Sequence, residues 1–380
     1  MLSCWSEKRM ASQKSRIAMN SFYKHFFWLW IGGLLVSCHK KADEDYPPLY
    51  EEAVDPDEGA VFAKIVSSFR VMQESHVPLQ RAFHSKVHGC AAGEFQILAD
   101  RPDVTKQGIF KDTKNYHTVL RFSNGARSEY ADKNVEVRGL GIKVFGVPGE
   151  KLLVTQSNAT TQDFVMNNVS APVTSDPKEF FEFIVAVSQG KWAFLEFLAT
   201  HWSIAGRIVK FASRKVESLV TERYWSGVAF KLGDKAMKYS VQSCGVPFKG
   251  VPNREDPNFL GNDLRSYAAE HGMCWTLGVQ LQVDPEKTPI EDATVEWTES
   301  LSPTIPVARI VIPRQDLGDP SVMAACKDLT YTPWHAIEEH RPLGRLNRVR
   351  RPAYALAHKT LRHGEVPVEP TDFSAKLLDP

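Results

Sequence analysis

The chain has 380 residues, of which 43% are hydrophobic, and that content is ample for one large core or two ordinary ones. Its 46 Lys and Arg residues nearly balance its 45 Asp and Glu residues, so the net charge indicates no nucleic acid or other polyanionic partner. The composition is that of a globular protein and excludes the disordered and collagen-like classes.

The first 38 residues are typical of an export signal. Lys24 precedes an apolar run at residues 26–36, which is short for a membrane span and is followed by small residues. The sequence Leu-Val-Ser-Cys at 35–38 resembles a bacterial lipobox, which predicts that Cys38 is lipidated and that the protein is a lipoprotein facing the periplasm. A plain signal peptide with an incidental cysteine and a short signal anchor are the alternatives. Met1, Met10 and Met19 are alternative starts.

Residues 39–58 are polar, acidic and contain prolines, so we predict a tether that leads into a single folded domain at residues 59–380. Export would place this domain in an oxidising compartment, where disulfides form. The spacing of the cysteines matches no zinc motif. Disulfides and buried free thiols both stay open for the four cysteines of the domain, Cys90, Cys244, Cys274 and Cys326.

The first half of the domain changes from strands to helices. Residues 59–75 have helical spacing, and Gly and Pro turns separate predicted strands at 117–122, 138–147 and 151–155. Asp176 then has the character of a helix N-cap, because Pro follows it at the first helical position and Glu at the third. A helix is predicted after it, and residues 191–212 are also predicted to be helical.

The second half returns to strands. Alternation predicts strands at 276–283, 293–297 and 305–312, and residues 346–361 are helical in character, although Pro352 would be costly inside a helix. Strands, helices, strands and a terminal helix indicate an α+β fold rather than an alternating α/β fold.

Five segments are unremarkable alone but informative in their order. They are R-A-F-H-S-K at 81–86, L-R-F-S at 120–123, E-V-R-G-L-G-I-K-V-F at 136–145, N-N-V-S at 167–170, and the stretch at 292–314 that ends in V-A-R-I-V-I-P-R. Together they resemble the haem catalase superfamily, with a likeness over about residues 71–364. The chain is much shorter than a full-length catalase, and its ending resembles the small catalase-like branch. The resemblance implies a catalase-type antiparallel β-barrel with flanking helices and a C-terminal helix that carries the proximal haem ligand.

The resemblance implies haem b as the cofactor and Tyr354 as the proximal iron ligand. A free tyrosine has a pKa near 10, so the ligand must be helped to ionise by the iron and by a neighbouring cation. Family members place an arginine four residues before the tyrosine, one helical turn away, and Arg350 has that spacing here. Tyr331 is the rival tyrosine, but no arginine stands four residues before it.

The distal residues follow from the same resemblance. His84 matches the imidazole that takes a proton from one peroxide oxygen and returns it to the other, with His88 as the fallback. Asn167 would orient the peroxide by hydrogen bonding, and Ser123 would fix the imidazole.

Four further residues concern the edges of the haem. Arg81 and Arg121 match residues that neutralise the propionates. Phe180 matches an aromatic residue that stacks on the haem, although it also fits the apolar stripe of its own helix. Phe83 stands where the family has a small aliphatic residue, and it would crowd the haem face or reshape access to it. The stretch after Asn167 lacks the family's aromatic residues, so we expect a wider pocket in place of the narrow channel.

These features predict an oxidoreductase that acts on hydrogen peroxide or on an organic or lipid hydroperoxide. A fatty-acid hydroperoxide isomerase or lyase on the same scaffold is one alternative. A lipid-anchored haem-binding protein without activity is another. The lipid anchor would supply a membrane contact, no nucleic acid is expected, and the oligomeric state stays open, with a homodimer as one alternative.

Overall fold

The computed structural model describes residues 46–245 and 253–361. Cys38 and the predicted export segment lie outside the described residues. None of the helices within these two ranges is both long and apolar enough to cross a membrane.

Nine strands form one antiparallel sheet. They are β1 (Val87–Ile97), β2 (Asn115–Asn124), β3 (Arg138–Phe145), β4 (Thr161–Asn167), β5 (Tyr224–Trp225), β6 (Phe230–Leu232), β7 (Lys235–Ser243), β8 (Met273–Leu281) and β9 (Ile305–Ile312). The strand order is β5-β4-β3-β2-β1-β9-β8-β7-β6, and β5 also pairs with β7. Eight strands therefore close into a barrel, and β6 extends it beside β7. This confirms the predicted antiparallel barrel.

The barrel interior is filled by the inward-facing residues of nearly every strand. Phe95, Leu120, Ile142, Phe164 and Trp275 are all fully buried in one cluster. Because side chains alternate between the two faces of a strand, the residues between them point to the outside of the barrel.

Within residues 46–245 and 253–361, seven helices flank the barrel. They are α1 (Glu58–Glu74), α2 (Pro177–Gln189), α3 (Lys191–Thr200), α4 (Trp202–Ala212), α5 (Phe259–Glu270), α6 (Pro320–Asp328) and α7 (Arg345–Leu361). Helix α1 packs on α7 through Phe62, Ile65 and Val66, which contact Val349. The Asp176 carboxylate accepts hydrogen bonds from the backbone N–H groups of Lys178 and Glu179, which confirms the predicted helix start.

Two predicted strands are wrong. Residues 151–155 form a loop in which the Lys151 ammonium donates to the carbonyls of Val147 and Gly149, and Val154 is exposed. Residues 293–297 form a turn because the Asp292 carboxylate accepts hydrogen bonds from the backbone and hydroxyl of Thr294. Strands β1, β4, β5, β6 and β7 and helices α5 and α6 were not predicted, and the helix predicted at 191–212 is two helices that meet at His201.

Disulfides join Cys90 to Cys326 and Cys244 to Cys274. The first ties α6 to the outer face of β1, where Leu329 and Tyr331 complete a small apolar cluster. The second links β7 to β8. The pairing left open by the sequence is thereby assigned: the first bond fixes a covering helix to the barrel, and the second joins two neighbouring barrel strands.

Residues of the predicted tether contact the domain closely. The backbone N–H of Tyr50 donates to Gln282, and the Glu52 carboxylate bonds to Arg341, Arg348 and the backbone of Gly344. The chain is therefore fixed to the start of α7 well before α1 begins.

Candidate functional site

Four residues stand in one row across the outer face of the barrel. Ser123 on β2 lies opposite Gly139 on β3, Gly139 opposite Asn167 on β4, and Asn167 opposite Trp225 on β5. Directly opposed residues of antiparallel strands project to the same face. Their neighbours Phe122, Leu140, Met166 and Tyr224 fill the barrel core, so the row itself faces outward.

The imidazole of His84 lies over this row at Gly139. A Cβ atom placed on Gly139 would be 2.4 Å from His84 Nδ1 and 2.5 Å from its Cε1, so only glycine leaves room for the ring. His84 Nδ1 is 3.1 Å from the Ser123 hydroxyl oxygen. The His84 ring therefore packs against the row, and the predicted hydrogen bond between His84 and Ser123 is present.

The backbone of His84 is held in an uncommon conformation. Its φ angle is +58°, in the left-handed region that non-glycine residues seldom occupy. The N–H of His84 donates to the carbonyl of Gly125 at 3.3 Å, and the Arg121 guanidinium donates to the carbonyl of His84 at 2.8 Å. Such strain costs about 1–3 kcal/mol and is typical of functional sites.

Three cations surround the imidazole. Burial first, and then the charges of Arg121, Arg350 and Arg81, lower the pKa of His84 to about 3. The imidazole is therefore neutral at pH 7. With Nδ1 next to Ser123, Nε2 has no hydrogen-bond partner among the described residues and is free to accept a proton from a ligand.

Arg121 is a buried cation with one hydrogen-bond donor unsatisfied. Its Nε is buried without a partner, and within residues 46–245 and 253–361 it forms no ion pair with a carboxylate. Burial, and then the charge of Arg81, lower its pKa to about 9. Arg81 donates to the carbonyls of Lys327 and Leu329, after the disulfide at Cys326. A buried guanidinium of this kind calls for an anion.

The five arginines of residues 341–351 differ in their partners. Arg348 contacts the carboxylates of Glu52, Glu58 and Glu291 at 2.7–2.9 Å, and these carboxylates raise its pKa. Arg341 and Arg345 also form ion pairs, and Arg351 lies over the Trp334 ring at 5.0 Å.

Arg350 stands apart from the other four. Its one side-chain hydrogen bond among the described residues is to Asn347, at 3.3 Å, and its charge acts on both His84 and Tyr239. Arg350 is therefore the member of the run that faces the barrel site.

Tyr354 lies one turn after Arg350 on α7 and is partly buried. Its ring meets His358 edge-on, with centroids 6.0 Å apart. The rival Tyr331 has a different environment: its ring packs flat on Gly141, and its hydroxyl is 3.5 Å from the carbonyl of Val119. Of the two tyrosines, Tyr354 is the one placed one helical turn from Arg350, which forms no ion pair within the part of the chain that the structure describes.

The predicted aromatic residues are divided between two clusters. Phe180 on α2 contacts Phe183, with centroids 6.4 Å apart, in the packing of its own helical region. Phe83 contacts Phe69 of α1 edge-on at 5.6 Å, and Phe69 contacts Phe181 at 5.5 Å. Phe83 therefore contributes to an apolar wall beside His84.

His88 and Asn168, the neighbours of the site residues, have structural roles. His88 Nε2 is 2.7 Å from the amide oxygen of Asn124, and the side chain is almost fully buried. Asn168 accepts from the backbone N–H of Arg138 and donates to Glu222. Asn167 is thus the member of the pair that remains in the outward row, and His88 is not a second candidate.

Gly139 and Trp225 were not among the predicted site residues. Alternating glycines at 139 and 141 were the available signal, since glycine in a strand marks a close approach of another group. Trp225 borders a cavity of about 270 Å³ that Arg223, Lys238 and Trp297 also line. Trp225 is the last residue of the row, on β5, and no sequence motif marks it.

The residues present fit a haem. Arg121, with its orphaned buried Nε, and Arg81 could bind the two propionates, and Tyr354 beside Arg350 could supply an anionic oxygen ligand. His84, fitted over Gly139, could supply an imidazole. These residues offer the kinds of donor that a haem uses, namely arginines for its carboxylates, a phenol oxygen and an imidazole.

Comparisons with known proteins relate the chain to one family and to one fold. A family model described as Catalase matches residues 64–223, which include His84, Ser123 and Asn167 but not α7. No curated protein sequence matches the chain.

Three solved catalases share the fold. A fungal catalase has a TM-score of 0.62 at 20% identity, covering 80% of this chain and 64% of its own. Catalase A from Saccharomyces cerevisiae has a TM-score of 0.62 at 17% identity, with coverages of 86% and 70%. A bacterial catalase has a TM-score of 0.59 at 16% identity, with coverages of 88% and 67%. The chain therefore spans slightly less than two thirds of the fungal enzyme.

Proposed function

We propose that this chain, whose predicted membership of the haem catalase superfamily the comparisons confirm, is a haem-dependent enzyme that consumes a peroxide. The observation that carries the proposal is the seating of the His84 ring over Gly139, within hydrogen-bond distance of Ser123 and in the row of Asn167. That arrangement serves a ligand on the outer face of the barrel and contributes nothing to the barrel core.

The chain's own residues would divide the work between two faces of a haem b. The cofactor would supply the redox-active iron. Arg350 would stabilise the Tyr354 phenolate, since a nearby cation favours the ionised form of a phenol. Arg81 and Arg121 would bind the propionates through charge-assisted hydrogen bonds.

On the distal face, His84 would move one proton. Its Nε2 accepts the proton of one peroxide oxygen and returns it to the other as the bond between the oxygens breaks. The Ser123 hydroxyl fixes the orientation of the ring through Nδ1. Asn167 would donate its amide N–H to the bound peroxide and hold it beside Nε2.

The test is peroxide consumption by the purified protein after haem is added. We expect wild type to consume hydrogen peroxide or an organic hydroperoxide, and His84→Ala to bind haem equally but to lose about 10²–10⁴-fold in rate, as expected for removal of a general acid–base. His88→Gln is the matched control and should keep its rate if it folds. Undiminished turnover in His84→Ala would reject the distal assignment.

A hydroperoxide isomerase or lyase is the second candidate, and the position of Phe83 favours it. The Phe69, Phe83 and Phe181 rings form an apolar wall next to His84, which suits an acyl chain better than hydrogen peroxide. Such an enzyme needs no external reductant, because oxygen and electrons are redistributed within one hydroperoxide. Mass spectrometry of the products from a fatty-acid hydroperoxide would separate the cases: only the alcohol, or no product, would reject this candidate.

Haem binding without turnover of any peroxide would leave a haem-binding protein as the function. The export of the chain as a lipoprotein through Cys38 is a further part of the proposal. The two disulfides support an oxidising compartment, since such bonds are rare in the cytosol. Labelled palmitate incorporation, lost in Cys38→Ser, would test the lipid anchor.

A further inference from the structure

Helices α2, α3 and α4 expose large apolar side chains to an unusual degree. The helices are joined by the single residues Gly190 and His201. Trp192 is 79% exposed and Trp202 is 64% exposed. Three aliphatic residues on these helices are also exposed, namely Val187, Leu195 and Val209. Single exposed apolar residues are normal, but this series on consecutive helices is a candidate interaction surface.

On α3 the exposed apolar residues share one side of the helix. Trp192, Leu195 and Ala199 follow the spacing of three and four residues, whereas Phe197 is buried on the other side.

Helix α4 repeats the pattern. Trp202, Gly206 and Val209 share one side, and Ile204 is fully buried on the other. A Cβ on Gly206 would meet nothing within 4 Å, so this side is open. Each helix thus has one apolar side in the protein and a second apolar side facing out.

We propose that this exposed side of α3 and α4, called here the α3–α4 face, rests on a phospholipid bilayer. Tryptophan is enriched where protein meets the lipid headgroups, because its ring is apolar and its N–H is polar. Lys191 adjoins the first stripe, and its ammonium lies 5.7 Å from the Trp192 ring. Lysine beside tryptophan at the edge of an apolar face is typical of side chains that reach the headgroup region.

The predicted lipid anchor provides a second reason, which rests on the proposed lipidation of Cys38. Cys38 lies eight positions before Tyr46, a distance of at most about 28 Å in an extended chain. Tyr50 and Glu52 are already fixed to the domain. A lipid on Cys38 would therefore hold the domain within a few tens of ångströms of the bilayer.

The fixed segment also lies near the start of the three helices. Arg345 is 3.9 Å from the Asp55 carboxylate and 3.5 Å from that of Asp176, which caps α2. Helix α2 has 13 residues and a length of about 20 Å, so the α3–α4 face begins about that far from the fixed segment. The lipid on Cys38 and the α3–α4 face can therefore reach the same bilayer. The proposal does not depend on the proposed catalytic function.

The experiment uses the full chain on phosphatidylcholine vesicles that contain some phosphatidylglycerol, with and without lipids brominated along the acyl chain. The chain has nine tryptophans, so the emission of Trp192 and Trp202 is obtained as wild type minus Trp192→Phe/Trp202→Phe. Because interfacial side chains lie about 5–10 Å into the headgroup boundary, brominated lipid should reduce this difference emission by about half. The matched control difference, wild type minus Trp297→Phe, should be unchanged, since Trp297 is buried.

Difference emission that is the same with and without brominated lipid would overturn the proposal, even if the N-terminal segment binds the vesicles. Sedimentation of wild type and of Trp192→Ser/Trp202→Ser in detergent then shows whether a second copy of the chain covers this face. A dimer that dissociates in Trp192→Ser/Trp202→Ser would assign the α3–α4 face to a second copy of the chain and would also overturn the proposal. Haem content and peroxide turnover play no part in either readout.

Discussion

The two halves of the candidate site are built in different ways. On the distal half, the strand register itself aligns Ser123, Gly139 and Asn167, and His84 fits over the glycine. On the proximal half, a single helix carries Arg350 and Tyr354, and long-range ion pairs of Arg348 hold its beginning. The distal half therefore belongs to the rigid barrel, whereas the proximal half depends on contacts that a point mutation can remove.

The largest expected effect tests the rigidity of the distal half. Gly139→Ala places a methyl group where the His84 ring now lies, so the imidazole must move while the barrel stays folded. Because a displacement of about 1 Å can cost about 10²-fold in rate, we expect peroxide consumption to fall by about that factor.

The control for this substitution is Gly206→Ala, since its new methyl group would enter open space. Rates measured on haem-loaded protein of equal thermal stability make the comparison. Unchanged turnover in Gly139→Ala would show that the fit of His84 over the row is not required.

The proximal half is tested through Arg348. Arg348→Met removes the cation that Glu58 and Glu291 share and leaves Glu52 with Arg341 alone, so we expect the free energy of unfolding to fall by about 2–4 kcal/mol. Denaturant unfolding measures this change, and haem retention should fall with it because α7 loses its anchor. Arg345→Met is the control: its ion pairs are exposed and longer, so the loss should stay below about 1 kcal/mol. Equal losses in both variants would mean that the buried network does not hold the helix.

Ser123→Ala removes the hydrogen bond that orients the His84 ring and leaves the ring in place over Gly139. We expect a decrease of about tenfold in turnover, as for the loss of a group that orients a functional histidine, and no change in haem content. Ser123→Thr restores the hydroxyl and should recover part of the rate. A rate equal to wild type in Ser123→Ala would remove Ser123 from the account.

The smallest expected effect concerns pH. Burial, the largest cause, and three arginines lower the pKa of His84 to about 3, so the imidazole stays neutral from pH 8 down to about pH 5. The rate should change by less than about twofold in that interval and should fall only on the acid side, as His84 takes up a proton. Circular dichroism at each pH checks that the chain is folded. A decrease centred near pH 6.5 that disappears with His84 removed would contradict the lowered pKa.

The sequence predicted His84, Ser123 and Asn167 as distal residues because they lie in short motifs, but it did not reveal most of the barrel. Strand β4 begins with Thr161, Gln162 and Asp163, all buried although polar, since the Asp163 carboxylate pairs with Lys143 and accepts from the backbone of Thr332. Alternation of apolar and polar residues is lost when both faces of a strand are covered. The strand predicted at 293–297 is a turn for the opposite reason, because a local aspartate bond overrides the alternation.

The proximal half could be predicted only as far as the spacing of Arg350 and Tyr354. The partners that separate Arg348 from Arg350 are Glu52, Glu58 and Glu291, which are distant in sequence and have no motif of their own. The fit of His84 over Gly139 was likewise hidden, because it depends on the register between β2 and β3. The candidate site residues could thus be predicted from local motifs, whereas the long-range contacts that position them could not.

The central claim is that the barrel row and α7 together hold a haem through Tyr354. It is tested most directly by adding ferric haem to the purified chain and recording the absorption spectra of wild type, Tyr354→Phe and Tyr331→Phe. We expect one haem per chain, a spectrum altered by Tyr354→Phe, and the wild-type spectrum in Tyr331→Phe. No haem binding by wild type, or a spectrum that Tyr354→Phe leaves unchanged, would contradict it.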